Sequence, residues 1–369
     1  MKKLLIVLLL FVFAFSAYAM AGELYFGLSA PLTGDYAQYG EVFKKGVELA
    51  LEEFNEKGGL NGTKIGLIAM DSKGDPKEAA NIAQKFVMDK RIIAEIGDFT
   101  STCCLAAAPI YQRAGLVQLS PTSSHPDFTK QGDYMFRNII TQEAEGPYIA
   151  SYAYKDLGKR KAAVIYIQND WGIVAKDNFI KGFKKLGGKI VAEEKFNPGT
   201  KDYTNILTKI KAKNPDIIYI AMMYSEAALL AKQMKKLGMD TPLIGTGALY
   251  SPKLIELGGD AVEGLYCTSS FYPYSDNPIV KAFVKKYKEK YGEIPNMFAA
   301  QAYDAAGLLL AALKSIDGKI TRKKVKEALE KIKDYPGVTG LTTFDKNHNV
   351  KKKLTKLVIR NGEFVEFKK

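Results

Sequence analysis

Residues 96–109 read IGDFTSTCCLAAAP. An apolar run ending at Ile96 meets Gly97-Asp98, and Thr100, Ser101, Thr102, Cys103 and Cys104 follow where an alanine-rich helix begins. Small hydroxyls and thiols at a strand-to-helix turn suit a nucleophile, a metal site or a cradle for an anion. Ser and Thr at a helix N-terminus cap the free N–H groups, and those groups with the helix dipole attract a carboxylate. Thr122, Ser123 and Ser124 in SPTSSHPD repeat the pattern after the next apolar run. Two such segments on neighbouring strand ends favour the cradle. Aromatic residues occupy other strand ends: Tyr39, Phe99, Tyr224 in MMYSE, and Trp171, the only Trp, after QND. Sheet packing requires none of them there. Aromatic walls beside a hydroxyl cradle describe a pocket for a small molecule with one carboxylate and an apolar body.

The competing chemistries are poorly served. The chain has two His, His125 and His348, so a histidine metal site is not expected. An exported hydrolase would use Ser101 or Cys103 with His125 as base, yet neither nucleophile stands in a G-x-S-x-G elbow. No glycine-rich phosphate loop follows a strand, so no cofactor is expected. Asp345, Asn347 and Asn349 imitate the start of a calcium loop, but Val350 replaces its glycine and Lys356 its bidentate Glu. That segment reads as a turn.

The elements that must position these residues alternate along the whole chain. LYFGLSA, KIGLIAM, RIIAEIG and LVQLS form a first set of apolar runs; KAAVIYIQ, KIVAEEKF, DIIYIAM, PLIGTG and GLYCTSS form a second. Continuous apolar strands separated by helical stretches predict parallel sheets covered on both faces. The second set echoes the first, so two similar α/β lobes are expected. Ligands in such sheets sit beyond the carboxyl ends of the strands, which places a cleft between the lobes.

The N-terminus, MKKLLIVLLLFVFAFSAYAMA, has two lysines, an apolar run and then small residues around Ala17, Ala19 and Ala21. It reads as a secretory signal peptide over 1–21. No Cys follows either cleavage point, so an exported chain without a lipid anchor is expected. The net charge of +13 becomes +11 without Lys2 and Lys3, and six of the 53 basic residues are Arg. Lysines interspersed with acids on helices read as solvated faces, not a nucleic-acid groove. Cys103, Cys104 and Cys267 are expected to be buried thiols.

Several segments in order carry a resemblance: LYFGLSAPLTGDYAQYG, ALEEFNEKGGLNG, DSKGDPKEAANIAQKFV, LSPTSSHPDFT, FRNI and AYDAAGLLLAAL. With them the chain resembles the exported solute-binding proteins of the branched-chain amino-acid (leucine/isoleucine/valine-binding) ABC transporter family. The resemblance implies two doubly wound parallel-sheet lobes joined by a three-crossover hinge, the type I periplasmic binding protein fold. It implies lobe 1 at 22–140 plus 271–346 and lobe 2 at 141–270 plus 347–369. It also implies a periplasmic monomer that closes on its ligand and presents it to an inner-membrane permease; service to a chemoreceptor fits the same fold. Ser101, Thr122 and Ser124, with Ser123 beside them, match the positions that hold a ligand carboxylate, Thr122 largely through its backbone. Tyr39, Phe99 and Thr100 match the first lobe's side-chain pocket, Trp171 and Tyr224 the second lobe's aromatic pair, and Phe298 is a further pocket position.

One departure matters. Gly247 stands where leucine-binding members carry the Glu that pairs with the ligand's ammonium, and Trp171 replaces a Tyr that offers that ammonium its hydroxyl. A desolvated ammonium needs a counter-charge, so Asp98, Glu226 or Asp304 must substitute, cation–π contact must help, or the ligand is an amine-free acid. Gly74 and Thr100 stand where some members carry a disulfide.

Overall fold

The computed structural model describes residues 23–369; the expected signal peptide lies outside the described residues. Its first half runs β1 (Leu24–Ala30), α1 (Ala37–Glu56), β2 (Ile65–Asp71), α2 (Pro76–Met88), β3 (Ile92–Gly97), α3 (Ser101–Ala114), β4 (Val117–Ser120), β5 (Met135–Arg137), α4 (Gln142–Ser151). The cycle resumes with β6 (Lys161–Ile167), α5 (Asp170–Lys185), β7 (Lys189–Phe196), α6 (Thr204–Lys211), β8 (Ile217–Ala221), α7 (Tyr224–Lys236), β9 (Leu243–Gly245), α8 (Pro252–Gly258), β10 (Tyr266–Ser269). Three helices and two hairpins complete it: α9 (Pro278–Tyr291), α10 (Met297–Lys314), α11 (Arg322–Glu330), β11 (Tyr335–Gly337), β12 (Gly340–Thr342), β13 (Thr355–Arg360), β14 (Glu363–Glu366).

The strands form two main sheets, β2-β1-β3-β4-β5 and β14-β13-β10-β9-β8-β6-β7, with β11-β12 apart. The first is parallel throughout, as its unbroken apolar runs require. The order β2-β1-β3 reverses direction between β1 and β3, the crevice where a doubly wound sheet binds its ligand. The chain leaves the first sheet after β5, returns after β10 to pack α10 along α1, and passes back after β12 to reach β13. Close helix pairs anchor both lobes. A Cβ on Gly46 of α1 would stand 2.3 Å from the Ala299 carbonyl of α10, and one on Gly146 of α4 2.7 Å from the Asn178 backbone of α5. Glycine is what lets these helices touch.

The second sheet is not wholly parallel. β13 runs antiparallel to β10, and β14 antiparallel to β13, closing a C-terminal hairpin that the alternating βα pattern does not predict. Its turn carries Asn361 at φ 54° and Gly362 at φ 71°. Asn-Gly with both residues left-handed is the preferred two-residue hairpin turn, so the signal is present in the sequence. The stretch after β4 holds only a single 3-10 turn at Thr129–Gln131, where a full helix would be expected between parallel strands. Among the described residues no helix is long and apolar enough to cross a membrane.

Candidate ligand-binding site

Where β3 ends, Thr100 takes extended backbone and its hydroxyl accepts from the Cys103 N–H, capping α3. Capping one amide leaves the Ser101 and Thr102 amides of the first turn without an intrahelical carbonyl. The Ser101 hydroxyl accepts from the His125 N–H at 3.3 Å and keeps its own proton to donate. Asp98 fixes the turn from beneath, accepting from Ser29 Oγ at 2.8 Å and from the Phe99 N–H at 2.5 Å. Burial raises its carboxyl to about 6. The Thr122 hydroxyl donates to the Phe99 carbonyl at 2.7 Å, tying the two cradle segments together.

Ser124 lies on the second cradle segment, after β4. Its oxygen accepts from Trp171 Nε1–H at 3.1 Å and from Gln142 Nε2–H at 3.0 Å, leaving its hydroxyl proton free for a ligand. Phe99, Thr100, Ser101, Thr122, Ser124, Trp171, Gly247 and Phe298 all line one cavity of about 50 Å³, with Ile139, Ile140, Met223, Met297 and Leu354 adding apolar wall. The cavity therefore combines hydroxyls with aromatic and aliphatic groups.

Three expected residues stand elsewhere. Ser123 is fully buried and turned into its lobe: its N–H donates to Ser120 Oγ, and its carbonyl accepts from Arg137. Tyr39 lies behind the wall, stacked on Phe99 with ring centroids 4.0 Å apart and edge-on to Phe298 at 4.9 Å. Its hydroxyl crosses the cleft, donating to the Ala248 carbonyl at 2.7 Å and accepting from the Tyr224 N–H at 3.1 Å. Tyr224 in turn donates its hydroxyl to the Asp35 carbonyl at 3.1 Å. Tyr36 to Glu226 at 2.9 Å and Ser251 to Gln38 at 3.0 Å are further bonds between the lobes. Tyr39 and Tyr224 are thus closure contacts, and the conformation is closed.

The sequence-based candidates for a replacement acid do not reach the cavity lining. Asp98 is committed to the turn. Glu226 caps its own helix through the Met223 N–H and meets Tyr36 at the rim. Asp304 accepts from the Val338 and Thr339 N–H groups, each at 2.8 Å. Burial raises the carboxyl of both Glu226 and Asp304. Sequence reasoning missed the acid that does line the cavity. Glu145, on the first turn of α4, accepts from the Gly247 N–H at 3.0 Å, Thr268 Oγ at 2.7 Å and Gln142 Nε2 at 2.6 Å. Its signal was QEAE after FRNIIT, two polar residues one turn apart immediately after a crossover.

The thiols are fully buried and unpaired, and burial pushes Cys103 and Cys104 far above the ordinary thiol range. A thiolate nucleophile at Cys103 is therefore disfavoured. His125 uses Nδ1 to accept from the Asp127 N–H at 3.1 Å, so its ring orders a loop. Asp345 Oδ1 accepts from the Asn347 and Asn349 N–H groups, which makes that segment the turn its sequence suggested.

A family profile described as periplasmic binding protein matches residues 23–363. A Leu/Ile/Val-binding protein homolog of Brucella abortus is 30% identical over 341 residues, spanning 92% of this chain and 91% of that protein. The chain belongs to the periplasmic solute-binding proteins of the branched-chain amino-acid ABC transporter family. A leucine-binding protein from Thermotoga maritima superposes with TM-score 0.89 at 31% identity, covering 94% of this chain and 98% of that one. A branched-chain amino-acid transporter substrate-binding protein from Streptococcus pneumoniae, solved with isoleucine, superposes with TM-score 0.87 at 30% identity, covering 93% and 99%. The two-lobed fold is that of these type I periplasmic binding proteins.

Proposed function

We propose that this chain is an exported, periplasmic solute-binding subunit that captures a small carboxylate-bearing molecule with an apolar body and presents it to an ABC permease. An amino acid with a branched or aromatic side chain fits best. The observation that carries the reading is the convergence of Ser101 and Ser124, each with a free hydroxyl proton, with Phe99, Trp171 and Phe298 on one cavity between the lobes. The hydroxyls and the first-turn amides of α3 suit a carboxylate. The apolar walls suit a hydrocarbon side chain. The work is done by hinge closure, which the bonds of Tyr39 across the cleft would hold shut.

A second reading, an amine-free organic acid, is favoured by Gly247. A Cβ there would meet Met297 Cε at 2.8 Å, so the wall is filled by a thioether where an acid could have stood. A thermal-shift screen of refolded, ligand-stripped protein against amino acids and their 2-oxo and deaminated analogues tests both. A ligand at a thousandfold its Kd stabilises by about 4 kcal/mol, on the order of 10 °C for a protein of this size. A shift with leucine, valine or phenylalanine supports the amino-acid reading, and a shift with amine-free acids alone supports the second. No shift with any carboxylate would overturn both.

A further inference from the structure

We propose that Gln142 and Glu145 form an ammonium-binding subsite, so that the ligand is an α-amino acid whose amino group lies on Glu145 Oε2 and Gln142 Oε1. The inference rests on the carboxylate-binding reading above and specifies the other end of the ligand.

Glu145 is 6% exposed, and no Lys, Arg or His nitrogen pairs with it among the described residues. Gly247 N–H and Thr268 Oγ–H both engage Oε1, while Oε2 receives a single donor from Gln142. An ionised carboxylate has about four acceptor sites, so Oε2 retains one. The backbone of Gly247 and the side chain of Thr268 thereby hold the carboxylate in place without neutralising it. A buried carboxylate without a cation is costly, and a ligand ammonium supplies the missing charge. Gln142 gives a second, independent sign. It is 1% exposed and lines the same cavity, both of its amide donor bonds are spoken for, and its Oε1 has no partner among the described residues. A buried, unpartnered acceptor beside a carboxylate is suited to an ammonium, which carries three donors.

The spacing matches the chemistry. Gln142 Nε2 donates at once to Ser124 Oγ at 3.0 Å and to Glu145 Oε2 at 2.6 Å, so these two oxygens lie no more than 5.6 Å apart. A carboxylate on Ser124 and an ammonium on Glu145, each at hydrogen-bond distance, are then separated by the single carbon of an α-amino acid. Gln142 also donates its backbone N–H to the Ser124 carbonyl at 2.9 Å, which keeps the two subsites in register. Gln142 and Glu145 can act together because three residues apart on α4 they share one face. The helix N-terminus stabilises the acid until a ligand arrives.

The test is calorimetry on refolded full chain with three pairs: leucine and 4-methylpentanoate, valine and 3-methylbutanoate, phenylalanine and 3-phenylpropanoate. The wild-type protein should bind the amino acid of the best pair at least 100-fold more tightly than its deaminated partner. Glu145→Gln, which keeps shape and the acceptor for Gly247, should weaken the amino acid about 100-fold and change the deaminated partner less than threefold. Equal wild-type affinity for both members of a pair, or equal losses in the variant, would overturn the ammonium subsite while leaving carboxylate binding intact. If no member of any pair binds the wild type, the carboxylate-binding reading fails and this inference with it. The wild-type comparison needs no variant, so a folding defect in Glu145→Gln leaves the question decidable.

Discussion

Replacing Tyr39 with Phe removes one oxygen and leaves the stacked ring on Phe99 in place. That oxygen makes two hydrogen bonds, to the Ala248 carbonyl and from the Tyr224 N–H, and both cross between lobes. They form only on closure, and the ring itself is fully buried. A buried hydrogen bond contributes about 0.5–1.5 kcal/mol net, so the closed state should lose about 1–3 kcal/mol. Because ligand affinity scales with the stability of the closed form, the Kd should rise about 5- to 150-fold. Calorimetry gives the Kd, and stopped-flow fluorescence of Trp171, which lines the cavity, gives the rates. Most of the change should fall in the dissociation rate, since closure follows encounter. The melting temperature of ligand-free protein should be little altered. An unchanged Kd, or a loss confined to the association rate, would refute the assignment of Tyr39 to closure.

Trp171→Ala opens one wall and releases the Nε1–H bond that orients Ser124. All carboxylates should weaken, and the loss for leucine- or phenylalanine-sized ligands should exceed that for alanine by about tenfold, from apolar contact at about 25 cal/mol per Å². Competition calorimetry across a ligand series checks this, and equal losses would remove Trp171 from the side-chain wall. Asp98 gives a pH signature. Its folded pKa of about 6 lies above the ordinary 3.8, so the folded state holds its proton more tightly. The wild type should therefore lose stability as pH rises from about 4 to 7, by on the order of 3 kcal/mol from this group. In Asp98→Asn the group no longer titrates, and the Ser29 hydroxyl can turn to suit the amide. Glu95 is raised by burial and then by the Asp98 charge, so in the variant it is raised less, which adds to the same difference. The variant's melting temperature should gain on wild type by several degrees between pH 4 and 7; parallel profiles would contradict the assignment.

The strand ends were legible because two rules act locally. Hydroxyls cap helix starts, and ligands sit where parallel strands finish, so Ser101, Ser124, Phe99 and Trp171 could be named from order alone. Depth was not legible. Tyr39 and Tyr224 occupy the right ends, but whether a ring lines a cavity or bridges the cleft behind it depends on how far the lobes close. Ser123 differs from Ser124 by which side of the strand end it faces, and Arg137, fourteen residues further on, holds the Ser123 carbonyl. Glu145 was hidden because an acid in a helix's first turn is ordinary. Only the fold brings it to Gly247 and Thr268, 102 and 123 residues along the chain. The C-terminal hairpin was readable at Asn361-Gly362 and was obscured by the stronger βα rhythm before it.

The central claim is that the cleft recognises its ligand by a carboxylate held on Ser101, Ser124 and the amides of α3. The most direct measurement takes the tightest amino acid from the screen and titrates it beside its primary amide, which keeps size, shape and ammonium and removes only the anionic charge. The amide should bind at least 100-fold more weakly, as expected when charged hydrogen bonds to a closed site are lost. Equal affinity for acid and amide would contradict the account.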